Sequence, residues 1–327
     1  MVAQYILEKK DFRGFMKEII KEFELIAPVR GDETKQNSRS MFRKIDNPDD
    51  IWLEKLTYFP VKYYFFSKKE VILEFDGNKI IDPVIKIGPR VFFGLRRCDL
   101  NGIYHQDMVF LNDNPDSFYK ARRENAVLIG LHCKKGDEFC FCNSVGLIDF
   151  YDIMFYDKGE FYAIEIGSKK GEGFISKYSE FLRAEDNIIT MDDRKIINHK
   201  ILNDDNISEL YERDEWKTGS DKCLSCGACN LLCPNCHCYS VFDEVNFDLK
   251  TGRRVRIPTS CQVRSFTRVA GDHIFRRSRI ARFKHRIFHH LQYFKERHGV
   301  QFCTGCGRCI RGCPANIDWV EIINKMK

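Results

Sequence analysis

The sequence predicts an α+β chain, with an N-terminal α/β domain over residues 1–205 and an α-helical domain over residues 206–327. Three observations carry this. Short apolar runs rich in β-branched and aromatic residues alternate with helical stretches in the first half. A polar, acidic stretch at 202–222, LNDDNISELYERDEWKTGSDK, separates the halves. Beyond it, one cysteine pattern is written twice, with helical periodicity between the copies.

An amphipathic helix opens the chain, because Phe12, Phe15, Met16, Ile19, Ile20 and Phe23 fall on one stripe, and it stops before Pro28. Residues 31–50 are polar and turn-rich and read as a loop. Strands are expected at Val71–Phe75, Val91–Leu95 and Ala126–His132, with DLNGIYHQDMVFL and DSFYKARREN as helical connections between the last two. Tyr151–Tyr156 and Phe161–Ile166 read as a hairpin, and Phe174–Leu182 as a helix. The GSKKGEG run at 167–173 lacks the G-K-[ST] of a phosphate loop and reads as a solvated turn. In the second half Ile280, Phe283, Ile287, Leu291 and Phe294 advance by 3, 4, 4 and 3, one buried helical face.

Residues 223–234 read CLSCGACNLLCP and residues 303–314 read CTGCGRCIRGCP. This is the bacterial ferredoxin run, in which three closely spaced thiolates hold one [4Fe–4S] cluster and the cysteine before proline ligates the other. It assigns Cys223, Cys226, Cys229 and Cys313 to cluster I, and Cys303, Cys306, Cys309 and Cys233 to cluster II. Zinc knuckles and disulfides also use C-x2-C, but two complete copies with glycine and proline in register select the cluster reading. The second domain is therefore expected to be an α-helical dicluster ferredoxin-like domain, with helix inserted between its motifs.

Fifteen cysteines is an odd count in a chain of 327 residues, which is too large to need disulfide staples, and the start, MVAQYILEKKDF, lacks the pattern of a signal peptide. No apolar run approaches the ~18–20 residues of a membrane span. A cytoplasmic, reducing setting is expected. Seven cysteines remain outside the two motifs. Cys98 and Cys133 each follow a predicted strand, so parallel packing brings them to one sheet edge, with Cys140 and Cys142 folding over it. Four thiols there suit a third [4Fe–4S] cluster, a tetrahedral zinc, or buried structural thiols. Cys236, Cys238 and Cys261 read as sulfur packed around clusters I and II rather than as reserve ligands, and His237 as a hydrogen-bonded surface histidine.

Between the motifs, Arg253 to Arg286 holds eleven Lys or Arg against one acid, Asp272, a local charge of +10; against the net +6 this leaves −4 elsewhere. Such a block fits compensation of anionic clusters and docking to an acidic partner better than nucleic acid, for which no binding module is present. No dinucleotide fingerprint, nucleophile elbow or Walker loop is present, so no catalytic site of its own is evident.

The runs IWLEK, RRCDLNGI, DSFYKARREN, CFCNSVG, CLSCGACNLLCPNCHCYSVFDEV, TSCQ, RIARFKH, CTGCGRC and IINKM together resemble the 4Fe–4S dicluster subunit of anaerobic sulfite reductase and, more distantly, the β subunit of cytoplasmic sulfhydrogenases. CYSVFD and IINKM lie nearer the sulfite reductase branch; the basic linker and residues 56–70 depart from the family pattern. The resemblance spans nearly the whole chain and favours a third cluster at Cys98, Cys133, Cys140 and Cys142. It implies an electron-transfer subunit that takes electrons from a flavin/iron–sulfur subunit oxidising NAD(P)H. The acceptor would be a sirohaem catalytic subunit reducing sulfite to sulfide. The alternative it implies is the electron-transfer β subunit of a cytoplasmic sulfhydrogenase, a NiFe hydrogenase/sulfur reductase complex. Membrane partners are not expected.

Overall fold

The computed structural model describes residues 3–31 and 39–326. Its first half is built on strands β1 (Gln4–Glu8), β2 (Glu24–Val29), β3 (Met41–Lys44), β4 (Glu70–Asp76), β5 (Lys79–Ile81), β6 (Arg90–Leu95), β7 (Ala126–Leu131), β8 (Ile153–Asp157), β9 (Phe161–Ile166) and β10 (Arg183–Ala184). Eight of these form one sheet in the order β10-β1-β9-β8-β7-β6-β2-β3. The pairs β2–β6, β6–β7 and β7–β8 are parallel, and the flanking pairs are antiparallel. Every residue of β7, AVLIGL, is buried, as a central strand covered on both faces requires.

Helix α1 (Lys9–Glu22) lays Phe15, Met16 and Ile19 on one face of this sheet, beside Phe174 and Tyr178. Each of those three fully buried side chains contributes about 1.5–3 kcal/mol. Helices α2 (Arg97–Phe110) and α3 (Ser117–Glu124) cover the other face with Leu100, Ile103, Phe110 and Tyr119, joined by Phe65 and Phe66. The Asp116 carboxylate caps α3 by accepting the Tyr119 N–H at 2.8 Å.

Two expectations near the N-terminus change. The first helix ends at Glu22, and Pro28 lies inside β2. Proline is tolerated there because β2 pairs with β6 only through Glu24–Ile26. The stretch expected to be a loop contains β3, and its residues 32–38 lie outside the described residues.

The larger correction concerns the second half. Tyr239–Val245 and Thr251–Pro258 form an antiparallel hairpin, β11 and β12, so this part is not α-helical throughout. The hairpin joins β4 and β5 in a second sheet of order β11-β12-β4-β5. The strand expected at Val71–Phe75 thus pairs with β12 rather than with the α/β sheet. The buried Arg256 on β12 fastens the junction through ion pairs to Glu70 and Asp116.

Short helices carry the rest: α4 (Lys169–Ile175), α5 (Trp216–Ser220), α6 (Ala228–Leu231), α7 (Arg279–Phe288), α8 (Phe294–His298), α9 (Arg308–Arg311) and α10 (Trp319–Asn324). A π turn at His289–Tyr293 joins α7 to α8. Phe283, Ile287, Leu291 and Phe294 are buried along this run, as the periodicity predicts. No described helix is long and apolar enough to cross a membrane.

Candidate iron–sulfur centres

The two cysteine motifs fold alike. Ser225 and Gly305 occupy equivalent positions with φ of 53° and 62°, and Gly227 and Gly307 follow at 78° and 67°. The left-handed turn points a backbone N–H at the first sulfur of each motif. Ser225 N donates to Cys223 Sγ at 3.4 Å, and Gly305 N donates to Cys303 Sγ at 3.4 Å. Such N–H···S bonds stabilise thiolate and tune a bound cluster. Helices α6 and α9 then start at equivalent positions, and each carries the third cysteine of its motif.

The cysteines of the two motifs sort into two cavities. One, of about 50 Å³, is lined by Cys223, Cys226, Cys229 and Cys313, with Cys309 also in its wall. The other, of about 20 Å³, is lined by Cys303, Cys306, Cys309 and Cys233. Each cavity thus gathers three cysteines of one motif and the pre-proline cysteine of the other. Cys226 is exposed, whereas Cys233, Cys303 and Cys306 are buried, so the first cavity is the one nearer solvent. Trp319 Nε1 donates to Cys309 Sγ at 3.4 Å.

The surroundings fit an anionic cluster in both places. Arg286 is buried and lines both cavities, donates to the Cys229 carbonyl at 3.3 Å, and leaves its Nε without a protein acceptor. Burial opposes its charge, but the sulfurs of Cys229, Cys309, Cys236 and Cys233 favour it. A negative group in the space that this enclosed guanidinium faces would offset the cost of burying its charge. Burial also raises the thiols of Cys229, to about 12, and Cys306, to about 11. They become thiolates only with a metal to take the charge.

Cys98, Cys133, Cys140 and Cys142 all line a third cavity, of about 750 Å³, at the ends of β6 and β7. Cys98 sits in the first turn of α2, where Asp99 accepts the Arg96 N–H at 3.4 Å. The Arg96 side chain donates to the carbonyls of Leu131 and His132, just before Cys133. The segment bearing Cys140 and Cys142 lies against the second cysteine motif. Phe141 N donates to Gly305 O at 2.8 Å, and a Cβ at Gly305 would stand 2.5 Å from Cys142 Cα. Only glycine permits that approach. Cys306 faces this cavity as well as the 20 Å³ one, and Arg96, Arg97 and Arg311 make its wall basic. Burial pushes up the thiols of Cys98, Cys140 and Cys142.

The Arg253–Arg286 block does not form one patch. Arg253 and Arg254 pair with Glu244 and Asp243 on the hairpin, while Arg256 is buried between Glu70 and Asp116. Arg282 is buried among the carbonyls of Gln262, Arg276 and Arg277. Compensation of cluster charge thus falls mainly to Arg286. His237 is half-buried rather than on the surface, with Nδ1 3.2 Å from Asn235 O. Sequence reasoning missed Asp99, Thr57 and Arg308. Arg308 Nε and Nη2 donate to Thr57 O and Oγ1 at 2.8 and 2.9 Å. Its place between two motif cysteines was the available signal; Asp99 and Thr57 carried none.

Residues 222–317 match the family model of the 4Fe-4S dicluster domain. This chain is an iron–sulfur electron-transfer protein with two [4Fe–4S] clusters in its second half. It is 30% identical over 335 aligned positions to sulfhydrogenase 2 subunit beta of Pyrococcus furiosus, covering 98% of this chain and 97% of that one. The chain belongs to the sulfhydrogenase β-subunit family. That likeness supports the hydrogenase branch of the sequence reading over the sulfite reductase branch.

Proposed function

We propose that this chain is the electron-relay β subunit of a cytoplasmic sulfhydrogenase-type complex. In it, residues 1–205 and 206–327 serve as an α/β domain and a dicluster domain. Cys223, Cys226, Cys229 and Cys313 hold cluster I; Cys303, Cys306, Cys309 and Cys233 hold cluster II; Cys98, Cys133, Cys140 and Cys142 hold a third [4Fe–4S] cluster. The observation that carries the reading is the sharing of walls. Cys306 faces both the 750 Å³ cavity and the 20 Å³ cavity, and Cys309 faces both the 20 Å³ cavity and the 50 Å³ cavity. The three sites therefore stand in a row.

A bound [4Fe–4S] cluster supplies one-electron chemistry with a potential set by charge, hydrogen bonds to sulfur and burial. The residues of this chain supply those settings. The N–H groups of Ser225, Gly305 and Trp319 donate to sulfur, Arg286 places a cation between two sites, and Phe141 and Trp319 keep water from the middle one. The exposed Cys226 brings cluster I nearer the surface than cluster II, as the port to one partner. The wide basic cavity at the other end opens toward the second. The partners proposed are a flavin/iron–sulfur subunit that oxidises NAD(P)H and a nickel–iron catalytic subunit.

A second reading, the relay of an anaerobic sulfite reductase feeding a sirohaem subunit, rests on the CYSVFD and IINKM runs. Anoxic affinity purification from the native host decides between them. Nickel in the co-purifying subunit is the expected result, and sirohaem absorption without nickel would move the chain to the sulfite reductase branch.

A further inference from the structure

Cys236, Cys238 and Cys261 belong to none of the three sets above. Their sulfurs surround a single amide. Asn230 Nδ2 stands 3.6 Å from Cys236 Sγ, 3.8 Å from Cys238 Sγ and 3.4 Å from Cys261 Sγ. The amide is fixed in this sense because Ser260 Oγ donates to Asn230 Oδ1 at 2.9 Å, which turns the NH2 group toward sulfur. Gln262 Nε2 adds a donor 3.7 Å from Cys261 Sγ. Asn230 is 2% exposed, so these donors have no water to turn to. Convergent N–H groups on buried sulfur are the outer shell of a metal-bound thiolate set.

Beside these sulfurs lies a cavity of about 160 Å³, lined by all three cysteines and by His237, His289 and His290. It is roomier than the cavities that gather the ligands of clusters I and II, at about 50 and 20 Å³. His290 Nε2 is 3.3 Å from Cys236 Sγ, and the side chain is buried. It stands on the π turn His289–Tyr293, and single π turns within helices recur at functional sites.

The charge around the cavity points the same way. Lys62 is 3% exposed and donates to the carbonyls of Asn230 and Cys236 at 2.7 and 2.9 Å, with no carboxylate partner among the described residues. Arg286 lines this cavity as it lines the other two. With Arg286 on the wall, Lys62 bonded to the Cys236 carbonyl behind it and no acid in the lining, the sulfurs are the groups placed to supply a counter-charge.

We infer that Cys236, Cys238, Cys261 and His290 form a further metal centre, a three-thiolate, one-imidazole site whose room suits an iron–sulfur cluster rather than a single ion. Cys233, a ligand assigned to cluster II, has its sulfur within 4.8 Å of the ligand atoms of Cys236 and His290, and His290 faces the 20 Å³ cavity too, so the centre directly adjoins cluster II and forms a side branch of the row.

The test counts iron, zinc and acid-labile sulfide per chain in the anoxically purified full-length protein and in its Cys238→Ser and Cys261→Ser variants. Low-temperature EPR of the reduced samples reports on clusters I and II. Each variant is expected to lose about four irons and about four sulfides while the paired signal of the two clusters persists. Loss of a single zinc with iron unchanged would keep the metal site and overturn the cluster. Unchanged iron and zinc would overturn both. Where a serine variant does not fold, His290→Cys serves instead: it keeps the metal content and alters the spectrum of the added centre, and an unaltered spectrum would remove His290 from the site.

Discussion

Arg308 and Asp99 form an ion pair at 2.9 Å with neither side chain exposed, and they come from opposite halves of the chain. Arg308 lies inside the second cysteine motif, and Asp99 follows Cys98. The same guanidinium stands 3.9 Å from Cys98 Sγ, so one cation serves the third cavity while its α9 backbone holds the second motif. Removing one partner of a buried pair leaves an uncompensated charge. Asp99→Ala is expected to lower the unfolding free energy by about 3–5 kcal/mol. A loss below about 1 kcal/mol in denaturant titration would mean that water or another group compensates Arg308.

The junction of the hairpin with the first half depends on pH in one direction. Burial alone would raise the Asp116 carboxyl, but the hydrogen bond from Arg256 and the Tyr119 N–H hold it below its usual range. A depressed folded-state pKa contributes stability above the unfolded value of about 3.9, and that contribution is lost as pH falls through the lower folded value. The stability gap between the native chain and Asp116→Asn should therefore be constant near neutrality and shrink below about pH 4. A gap that widens on acidification would show the opposite shift.

Arg286 faces three cavities, so its effect should be shared. A nearby cation favours the reduced, more negative cluster. Arg286→Gln is expected to move the potentials of clusters I and II downward together, on the order of 60 mV for each tenfold change in the reduction equilibrium. A redox titration in which only one potential moves would place Arg286 beside that cluster alone.

Cys98 separates the third site from the pair. Cys98→Ser should leave the EPR of the two ferredoxin-type clusters in place and reduce bound iron by about four per chain. Unchanged iron would exclude Cys98 as a ligand.

Much of this was legible because it depends on local pattern. The 3, 4, 4, 3 spacing from Ile280 to Phe294 reports one buried helix face, and the apolar run Ala126–Leu131 reports a strand covered on both sides. The N-terminal cysteines could be grouped from the strands that precede them, and all four line one cavity. The hairpin Tyr239–Pro258 was hidden because its exposed face mixes arginine with apolar residues and its partner, β4, lies about 180 residues earlier. Alternation of Val255 with Ile257, and of Tyr239 with Val241, was its trace. His290 could not be found at all, since its role comes from contacts across the fold, and Asn230 had only its place between Cys229 and Cys233 as a signal. Arg286 was visible only as one charge in a basic block.

The crossed ligation is tested most directly by EPR and iron counts on Cys233→Ser and Cys223→Ser, both in the first motif. Cys233→Ser should disturb cluster II, the site of Cys303, Cys306 and Cys309, while Cys223→Ser disturbs cluster I. If both substitutions alter the same cluster and leave the other unchanged, each motif holds its own cluster, and the crossed ligation is wrong.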